Sequence, residues 1–95
     1  MNTPSIDIIH NTAASRFEAT VDGHLCVADY RLDGTLMHMT HTVVPRAVEG
    51  RGIAAALVSA ALAWARSQGL RVNPQCSYVR LYMQRHRETQ DLLRP

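Results

Sequence analysis

The chain has 95 residues, which is enough for one small domain and too few for a second hydrophobic core. Apolar residues make up 46% and charged residues 19% of it, proportions that are typical of a globular protein and unlike those of a disordered one. A net charge of +2 and a pI of about 8.8 are too mild to indicate nucleic-acid binding, which is the weakest of the candidate functions.

The amino-terminal residues lack the charged and apolar regions of a secretory signal, and the longest apolar run, residues 53–65, is too short to span a bilayer. We therefore expect a cytoplasmic protein that does not enter a membrane. Cys26 and Cys76 are expected to be free thiols, because two cysteines do not make a disulfide framework. No metal site is predicted, and residues 1–95 are expected to form a single domain.

The first half of the chain predicts an antiparallel meander of four strands. Asp22-Gly23 and Asp33-Gly34 are typical of the tight turns that join neighbouring strands. The predicted strands are residues 6–10, 15–21, 25–32 and 35–44. In the last of them, strict alternation predicts one shared side for Met37, Met39, His41 and Val43.

The second half changes to helical spacing. Residues 52–68 are apolar almost all round, which predicts a long helix packed flat against the sheet and ended by Gly69. Residues 70–73 are short enough for a fifth strand, and residues 77–86 have the spacing of a second helix. A helical crossover makes the fifth strand parallel to the fourth, so the predicted fold class is α+β. Residues 87–95 carry no clear signal.

The turn Gly50-Arg51-Gly52 leads from the fourth strand into the long helix. The first N–H groups of a helix have no partner within it, and together with the positive helix end they attract phosphate. Glycine at both positions removes side chains that would hold a ligand away from the backbone. The turn alone leaves two hypotheses, a site for a phosphorylated cofactor and a tight turn that binds nothing, and the second is the more common arrangement.

Residues 49–54, Glu-Gly-Arg-Gly-Ile-Ala, have the form of a loop that binds the pyrophosphate of acyl-CoA. Further marks lie in order around it: His41-Thr42-x-x-Pro45, Gly69-Leu70-x-Val72 and Pro74-x-Cys76-x-Tyr78-Val79-x-x-Tyr82. Over residues 17–93 the chain resembles the GNAT superfamily of N-acetyltransferases, and within it the small single-domain YjdJ-like branch. The resemblance implies a minimal GNAT fold. The chain departs from the branch after its last histidine, where Arg-Glu-Thr replaces a Pro-Glu-aromatic segment.

The resemblance implies that acetyl-CoA or CoA binds at this loop through backbone N–H groups, with the pantetheine arm between the diverging fourth and fifth strands. Arg46 and Arg51 are then phosphate partners, and solvated surface positions are the alternative for both. The residues that the resemblance assigns to the cofactor are Val43, Val44, Arg46, Glu49, Gly50, Arg51, Gly52, Ile53, Ala54, Cys76, Tyr78 and Tyr82.

Three residues are candidates for the chemistry of acetyl transfer: Cys76, His41 and Tyr82. His41 lies near the loop, and an ordinary pKa of about 6.5 suits a general base, although a histidine packed in the core fits equally well. The resemblance implies that Cys76 lies near the thioester, where it either accepts the acetyl group or only lines the pocket; a small buried side chain is the alternative. Many superfamily members carry a tyrosine on the second helix that protonates the leaving thiolate, and Tyr78 and Tyr82 share a helix face.

These expectations favour an acetyl-CoA-dependent N-acetyltransferase that transfers the acetyl group directly to an amine. The alternative is a module that binds CoA or acyl-CoA without turnover, because so small a domain has few elements from which to build an acceptor site. The sequence leaves open whether the acceptor is a protein lysine, a polyamine or a small metabolite amine. The oligomeric state is equally open.

Overall fold

A computed structural model describes residues 6–93 of the chain. Four strands come first: β1 (Ile9–Asn11), β2 (Arg16–Val21), β3 (His24–Asp33) and β4 (Leu36–Val43). A 3₁₀ turn at Arg46–Val48 precedes the helix α1 (Ile53–Ser67). Strand β5 (Arg71–Pro74), helix α2 (Ser77–Arg85) and a 3₁₀ helix at Arg87–Leu92 complete the order.

The five strands form one sheet in the order β1-β2-β3-β4-β5. Strands β1 to β4 are antiparallel neighbours, whereas β5 runs parallel to β4 after the crossover through α1. The predicted α+β class, the four-stranded meander, the parallel fifth strand and the C-terminal helix are therefore confirmed. A parallel pair needs such a crossover, because the chain has to return to the same end of the sheet before it can pair again.

One face of the sheet packs against both helices. Ala19 lies opposite Cys26, and Phe17 lies opposite Ala28, so these side chains share that face, and all four are buried. Helix α1 is apolar almost all round and fills this layer, while α2 covers its edge. The buried helix residues of the layer are Ile53, Leu57, Val58, Ala61, Leu62, Ala65, Val79 and Met83. We call the opposite face the helix-free face, since neither α1 nor α2 packs on it.

A β-bulge in β4 corrects one prediction from the sequence. Tyr30 of β3 lies opposite Met39, but the next residue, Asp29, lies opposite His41, so Thr40 is an extra residue in β4. An extra residue reverses the alternation of side chains from that point onward. Met37 and Met39 therefore face the helices as expected, whereas His41 and Val43 do not share their side. They lie on the helix-free face, where Val43 is 51% exposed.

An aromatic cluster joins the start of the sheet to α1. His10 stacks on Phe17 with ring centroids 4.0 Å apart, and Trp64 meets the imidazole edge-on at 4.5 Å. His10 Nε2 and the Tyr30 hydroxyl are within hydrogen-bond distance at 2.7 Å. No local pattern indicates this role for His10, because its partners come from three other elements, β2, β3 and α1.

The C-terminal segment is held by arginines from other elements. Arg66 Nη1 donates to Asp91 Oδ2 at 2.6 Å, and Arg71 Nη1 donates to the backbone carbonyl of Asp91 at 2.6 Å. These contacts, with the buried Leu92, explain why a segment without a local signal becomes ordered as a 3₁₀ helix. Among residues 6–93, no helix is long and apolar enough to cross a membrane.

Candidate functional site

The connection from β4 to α1 has the backbone shape that its glycines predict. Buried Val48 anchors the 3₁₀ turn, and the chain then passes Gly50 and Gly52 with φ of 79° and 78°. A Cβ at either glycine would meet no atom within 4 Å. The left-handed backbone conformation therefore requires glycine at these positions, and the space that the missing side chains leave is open.

No side chain caps the amino terminus of α1. Gly52 is the N-cap and has no side chain to accept a hydrogen bond, and the first turn contains no acidic residue. The first bond that closes the helix runs from the Ala56 N–H to the Gly52 carbonyl at 3.1 Å. The N–H groups of residues 53–55 consequently donate to no acceptor among the described residues. Three free donors at the positive end of a helix of 15 residues form a site for an anion.

These donors border a cavity of about 230 Å³, which we call the loop cavity. Val44 and Tyr78 form walls of it, and Glu49 contributes the only carboxylate among the described residues that line it. An acid beside an anion site is unfavourable, so binding has to come from the backbone here. The residues that line the loop cavity are Val44, Val48, Glu49, Gly50, Gly52, Ile53, Ala54, Ala55 and Tyr78.

The two arginines of the loop do not line the loop cavity. Arg51 Nη1 donates to Asp22 Oδ2 at 2.6 Å, and Asp22 itself has a left-handed φ of 50° in the β2–β3 turn. The ion pair fastens the loop to that turn, although at half-exposed side chains it stabilises the fold by at most about 1 kcal/mol. Arg46 is exposed on the 3₁₀ turn. The loop presents phosphate donors from its backbone, with the guanidinium groups outside.

A gap opens between β4 and β5 beside the loop cavity. Their pairing runs from Leu36–Arg71 to Met39–Pro74, and the last backbone hydrogen bond runs from the Cys76 N–H to the Met39 carbonyl at 2.9 Å. Residues 41–43 pair with β3 but have no strand partner on the β5 side among the described residues, since the chain turns into α2 at Cys76. An extended chain can lie along such an edge and use its free backbone groups.

Comparisons with known proteins agree with this geometry. The model of the family described as GCN5-related N-acetyl-transferase matches residues 16–92. This protein belongs to the GCN5-related N-acetyltransferase family. The solution structure of a GCN5-like candidate N-acetyltransferase from Staphylococcus aureus has the same fold, with a TM-score of 0.73 over 99% of this chain and 91% of that one. At 23% sequence identity this second likeness concerns the fold alone.

In this GCN5-related chain Cys76 lies at the mouth of the gap. It is the N-cap of α2, is half-buried, and its Sγ lies 3.6 Å from Thr42 Oγ1. Burial alone would raise the pKa of the thiol. Hydrogen bonds from Thr42 and from the N–H groups of Val79 and Tyr78 outweigh burial, and the pKa of Cys76 is lowered. The other thiol, Cys26, is fully buried, and burial raises its pKa.

His41 lies on the same stretch of β4 as Thr42, but its side chain is on the opposite face of the sheet. Because of the bulge its side chain is exposed on the helix-free face, and its ring bonds to no other described residue. Of the two alternatives for His41, a histidine packed in the core is therefore wrong. His38, also on that face, is the buried one: its Nδ1 accepts from Asn73 Nδ2 at 2.9 Å. That contact ties β4 to β5 just before the gap, which is a structural role.

The two tyrosines of α2 lie at different distances from the loop. Tyr78 lines the loop cavity, whereas Tyr82 lies one turn further along α2 and stacks on His86 with centroids 4.0 Å apart. Burial, and after it the neighbouring Tyr82, raise the pKa of Tyr78, so its phenol stays protonated at neutral pH. Several candidate residues lie around the loop cavity and the gap beside it. They are Val44, residues 49–54 except the Arg51 side chain, Cys76 and Tyr78.

Reasoning from the sequence missed two residues at this site. Thr42 reaches Cys76 only because the bulge turns its side chain toward the helices, and no local signal marks that bulge. Asp22 reaches Arg51 from 29 residues away. In residues 6–93, no group of three or more His, Cys, Asp or Glu side chains is placed to hold a metal ion.

Proposed function

We propose that this protein is an acetyl-CoA-dependent N-acetyltransferase that transfers the acetyl group directly to an amine. The observation that carries the proposal is the uncapped amino terminus of α1, which opens into the loop cavity beside the gap between β4 and β5. A thioester with a pyrophosphate and a long extended arm has the chemistry to use both features at once. Family membership supports acetyl transfer in general. Transfer to an amine is what we propose beyond it.

Acetyl-CoA, when bound, supplies an activated acyl group as a thioester. The N–H groups of residues 53–55 hold the pyrophosphate, and Gly50 and Gly52 allow its close approach. The unpaired edge of β4 beyond Met39 holds the extended arm through backbone hydrogen bonds. Val44 and Tyr78 exclude water from the side of the loop cavity.

Proton transfer is assigned to residues on both sides of the β4 edge. An amine must lose its proton to become a nucleophile, and His41, directly or through water, takes it up. Because His41 is exposed on the helix-free face, the acceptor reaches the site from that face. Tyr78 is the proton donor that we assign to the departing thiolate, in preference to Tyr82, because Tyr78 lines the loop cavity and keeps its proton.

Cys76 is assigned a place beside the acyl group, where its thiol and Thr42 form a polar wall. We propose direct transfer to the amine, without acetylation of this cysteine. Intact mass measured after incubation with acetyl-CoA tests the point. An adduct of one acetyl group on the wild type that is absent from Cys76→Ala would replace direct transfer by a covalent route.

The cofactor is tested by thermal or chemical unfolding with CoA and acetyl-CoA. A ligand present at about a hundred times its dissociation constant stabilises the folded state by about 2.7 kcal/mol. Transfer is then measured across lysine peptides, polyamines and small amines, with His41→Gln as the variant that loses the base. Absence of any stabilisation at millimolar CoA would overturn the proposal.

A second candidate, a module that binds CoA without turnover, is favoured by one observation. The ring of His41 is exposed and bonds to no other described residue, so nothing within residues 6–93 orients the base. Stabilisation by CoA together with no consumption of acetyl-CoA by any amine in the panel would establish this candidate.

A further inference from the structure

We propose that the acceptor is a linear aliphatic diamine, whose one ammonium group binds Asp29 on the helix-free face while its other amine reacts in the gap between β4 and β5. The inference rests on the proposed function and adds the class of acceptor to it. It assigns a specificity-determining role to a residue of β3 that lies outside the loop cavity and outside the gap.

The β-bulge in β4 brings Asp29 and His41 together. Because Thr40 is the extra residue, Asp29 lies directly opposite His41, and both side chains are on the helix-free face. The Thr40 hydroxyl donates to the backbone carbonyl of Asp29 at 3.4 Å, which ties β3 to the bulge. Side chains opposite each other on neighbouring strands have Cβ atoms about 5 Å apart. A carboxylate therefore lies beside the proposed base, on the face from which the acceptor arrives.

The carboxylate of Asp29 is available to bind a cation. It is half-buried, and it forms no hydrogen bond or ion pair with any other residue in the range 6–93. Arg16 lies opposite Asp29 on β2, but its Nε donates to Glu18 Oε2 at 2.7 Å. Glu18 also accepts from Asn11 Nδ2 at 3.4 Å, so this second carboxylate of the face is already occupied. An ammonium group at Asp29 would form a charged hydrogen bond that is partly shielded from water.

The position of Asp29 separates the nitrogen that it binds from the nitrogen that reacts. The sheet order places β4 between β3 and the gap, so Asp29 and the proposed place of the thioester lie on opposite sides of β4. Neighbouring strands are about 4.8 Å apart, which puts the middle of the gap about 10 Å from β3. One nitrogen cannot contact both places. An extended chain of about six methylene groups, with bonds of about 1.5 Å, carries two nitrogens far enough apart to do so.

Apolar surface accompanies the path between these two places. Val43 of β4 is 51% exposed, and it lies opposite Val27 of β3, so the two side chains share the helix-free face. They are two residues along their strands from His41 and Asp29 respectively. The methylene chain of a diamine can lie on these valines. A polyamine with an internal ammonium group would place a charge against them, which is unfavourable without a partner, and this favours a diamine.

The test compares 1,6-diaminohexane with hexylamine, which has the same chain and the same reactive amine but lacks the second ammonium group. At saturating acetyl-CoA, the wild type should have a kcat/KM about tenfold higher for the diamine, as expected for one charged hydrogen-bonded contact. Ethylenediamine is too short to reach both places and should have no such advantage over ethylamine. Asp29→Asn should raise the KM for 1,6-diaminohexane about tenfold, and should leave its kcat and the kcat/KM for hexylamine unchanged.

Asp33→Asn is the matched control, because it removes the same charge from an exposed position on the same face of β3 and should keep the preference for the diamine. CoA should stabilise both variants as much as the wild type, since neither residue lies in the cofactor site. Equal kcat/KM for the two amines in the wild type, a preference that survives Asp29→Asn, or an equal loss of activity with both amines in that variant would overturn the inference while the proposed function stands. Failure of the wild type to acetylate any amine would instead overturn the proposed function, and this inference with it.

Discussion

Cys76 Sγ lies 3.6 Å from Thr42 Oγ1, across the gap that opens where the pairing of β4 with β5 ends. The pair links the first turn of α2 to the edge along which we place the pantetheine arm. Thr42 can donate its hydroxyl proton to the thiolate, and the N–H groups of Val79 and Tyr78 add to this stabilisation of the charged form. The thiol beside the proposed acyl group is therefore more acidic than an ordinary cysteine.

Thr42→Val should raise the pKa of Cys76, because it keeps the shape of the side chain and removes the hydroxyl donor. The alkylation rate with iodoacetamide follows the thiolate and rises with pH, so its midpoint reports the pKa. The wild-type midpoint should lie below the ordinary value of about 8.5, and the variant midpoint above that of the wild type. Fully buried Cys26 should not react in the folded protein. Thr20→Val, at an exposed position on β2, is the control, and a midpoint unchanged by Thr42→Val would contradict the assignment.

Gly52→Ala should weaken CoA binding, whereas Gly69→Ala should not. The two glycines lie at opposite ends of α1 with similar left-handed φ of 78° and 68°, and an added Cβ meets nothing at either. Each substitution should therefore lower the free energy of unfolding by about 1 kcal/mol through backbone strain. Only Gly52→Ala disturbs the free N–H groups, and we expect at least about a tenfold loss of CoA affinity from it. Denaturation and calorimetry separate the two effects; equal losses of affinity would mean that the loop is not the phosphate site.

The loop and the order of elements could be predicted from the sequence because their signals are local. Two glycines before an apolar run fix a turn and a helix start, and the tight-turn dipeptides fix the strand pairs. The side of the sheet on which His41 lies could not be predicted, because strict alternation along β4 does not allow for the bulge at Thr40. A single extra residue in a strand leaves no mark on composition or spacing, yet it moves every side chain that follows to the opposite face of the sheet.

Contacts around the site that join distant segments could not be predicted from the sequence either. Asp22 meets Arg51, and the pair takes the guanidinium away from the loop cavity where the resemblance would place it. Contacts between distant segments depend on how elements dock, which a linear pattern does not encode.

Glu49→Gln should strengthen CoA binding. Within residues 6–93, Glu49 supplies the only carboxylate in the lining of the loop cavity, and its charge repels a phosphate held there. At low ionic strength we expect a dissociation constant lowered about twofold to threefold, and the gain should shrink at about 0.5 M salt because exposed charges are screened. Asp7→Asn removes one negative charge from an exposed position outside that lining and is the control. An equal gain from both substitutions would show that net charge, and not the position of Glu49, sets the affinity.

The aromatic cluster should make stability depend on pH through His10. Burial lowers the pKa of this imidazole, so below about 6.5 the unfolded chain binds the proton more readily than the folded one. Stability is therefore fully present above the ordinary pKa and falls as the pH is lowered toward the folded-state value. Urea unfolding followed by the fluorescence of Trp64, the single tryptophan, measures this at about pH 7.5 and about pH 5.

His10→Gln should be less stable than the wild type at the higher pH, because it loses the ring that stacks on Phe17 at 4.0 Å. It should also lose a smaller fraction of its stability on acidification, because the imidazole whose pKa differs between the folded and unfolded states is gone. His24→Gln, at an exposed position in β3, should keep the wild-type dependence on pH. If His10→Gln kept the full loss of stability between the two pH values, a group other than His10 would cause the dependence of stability on pH.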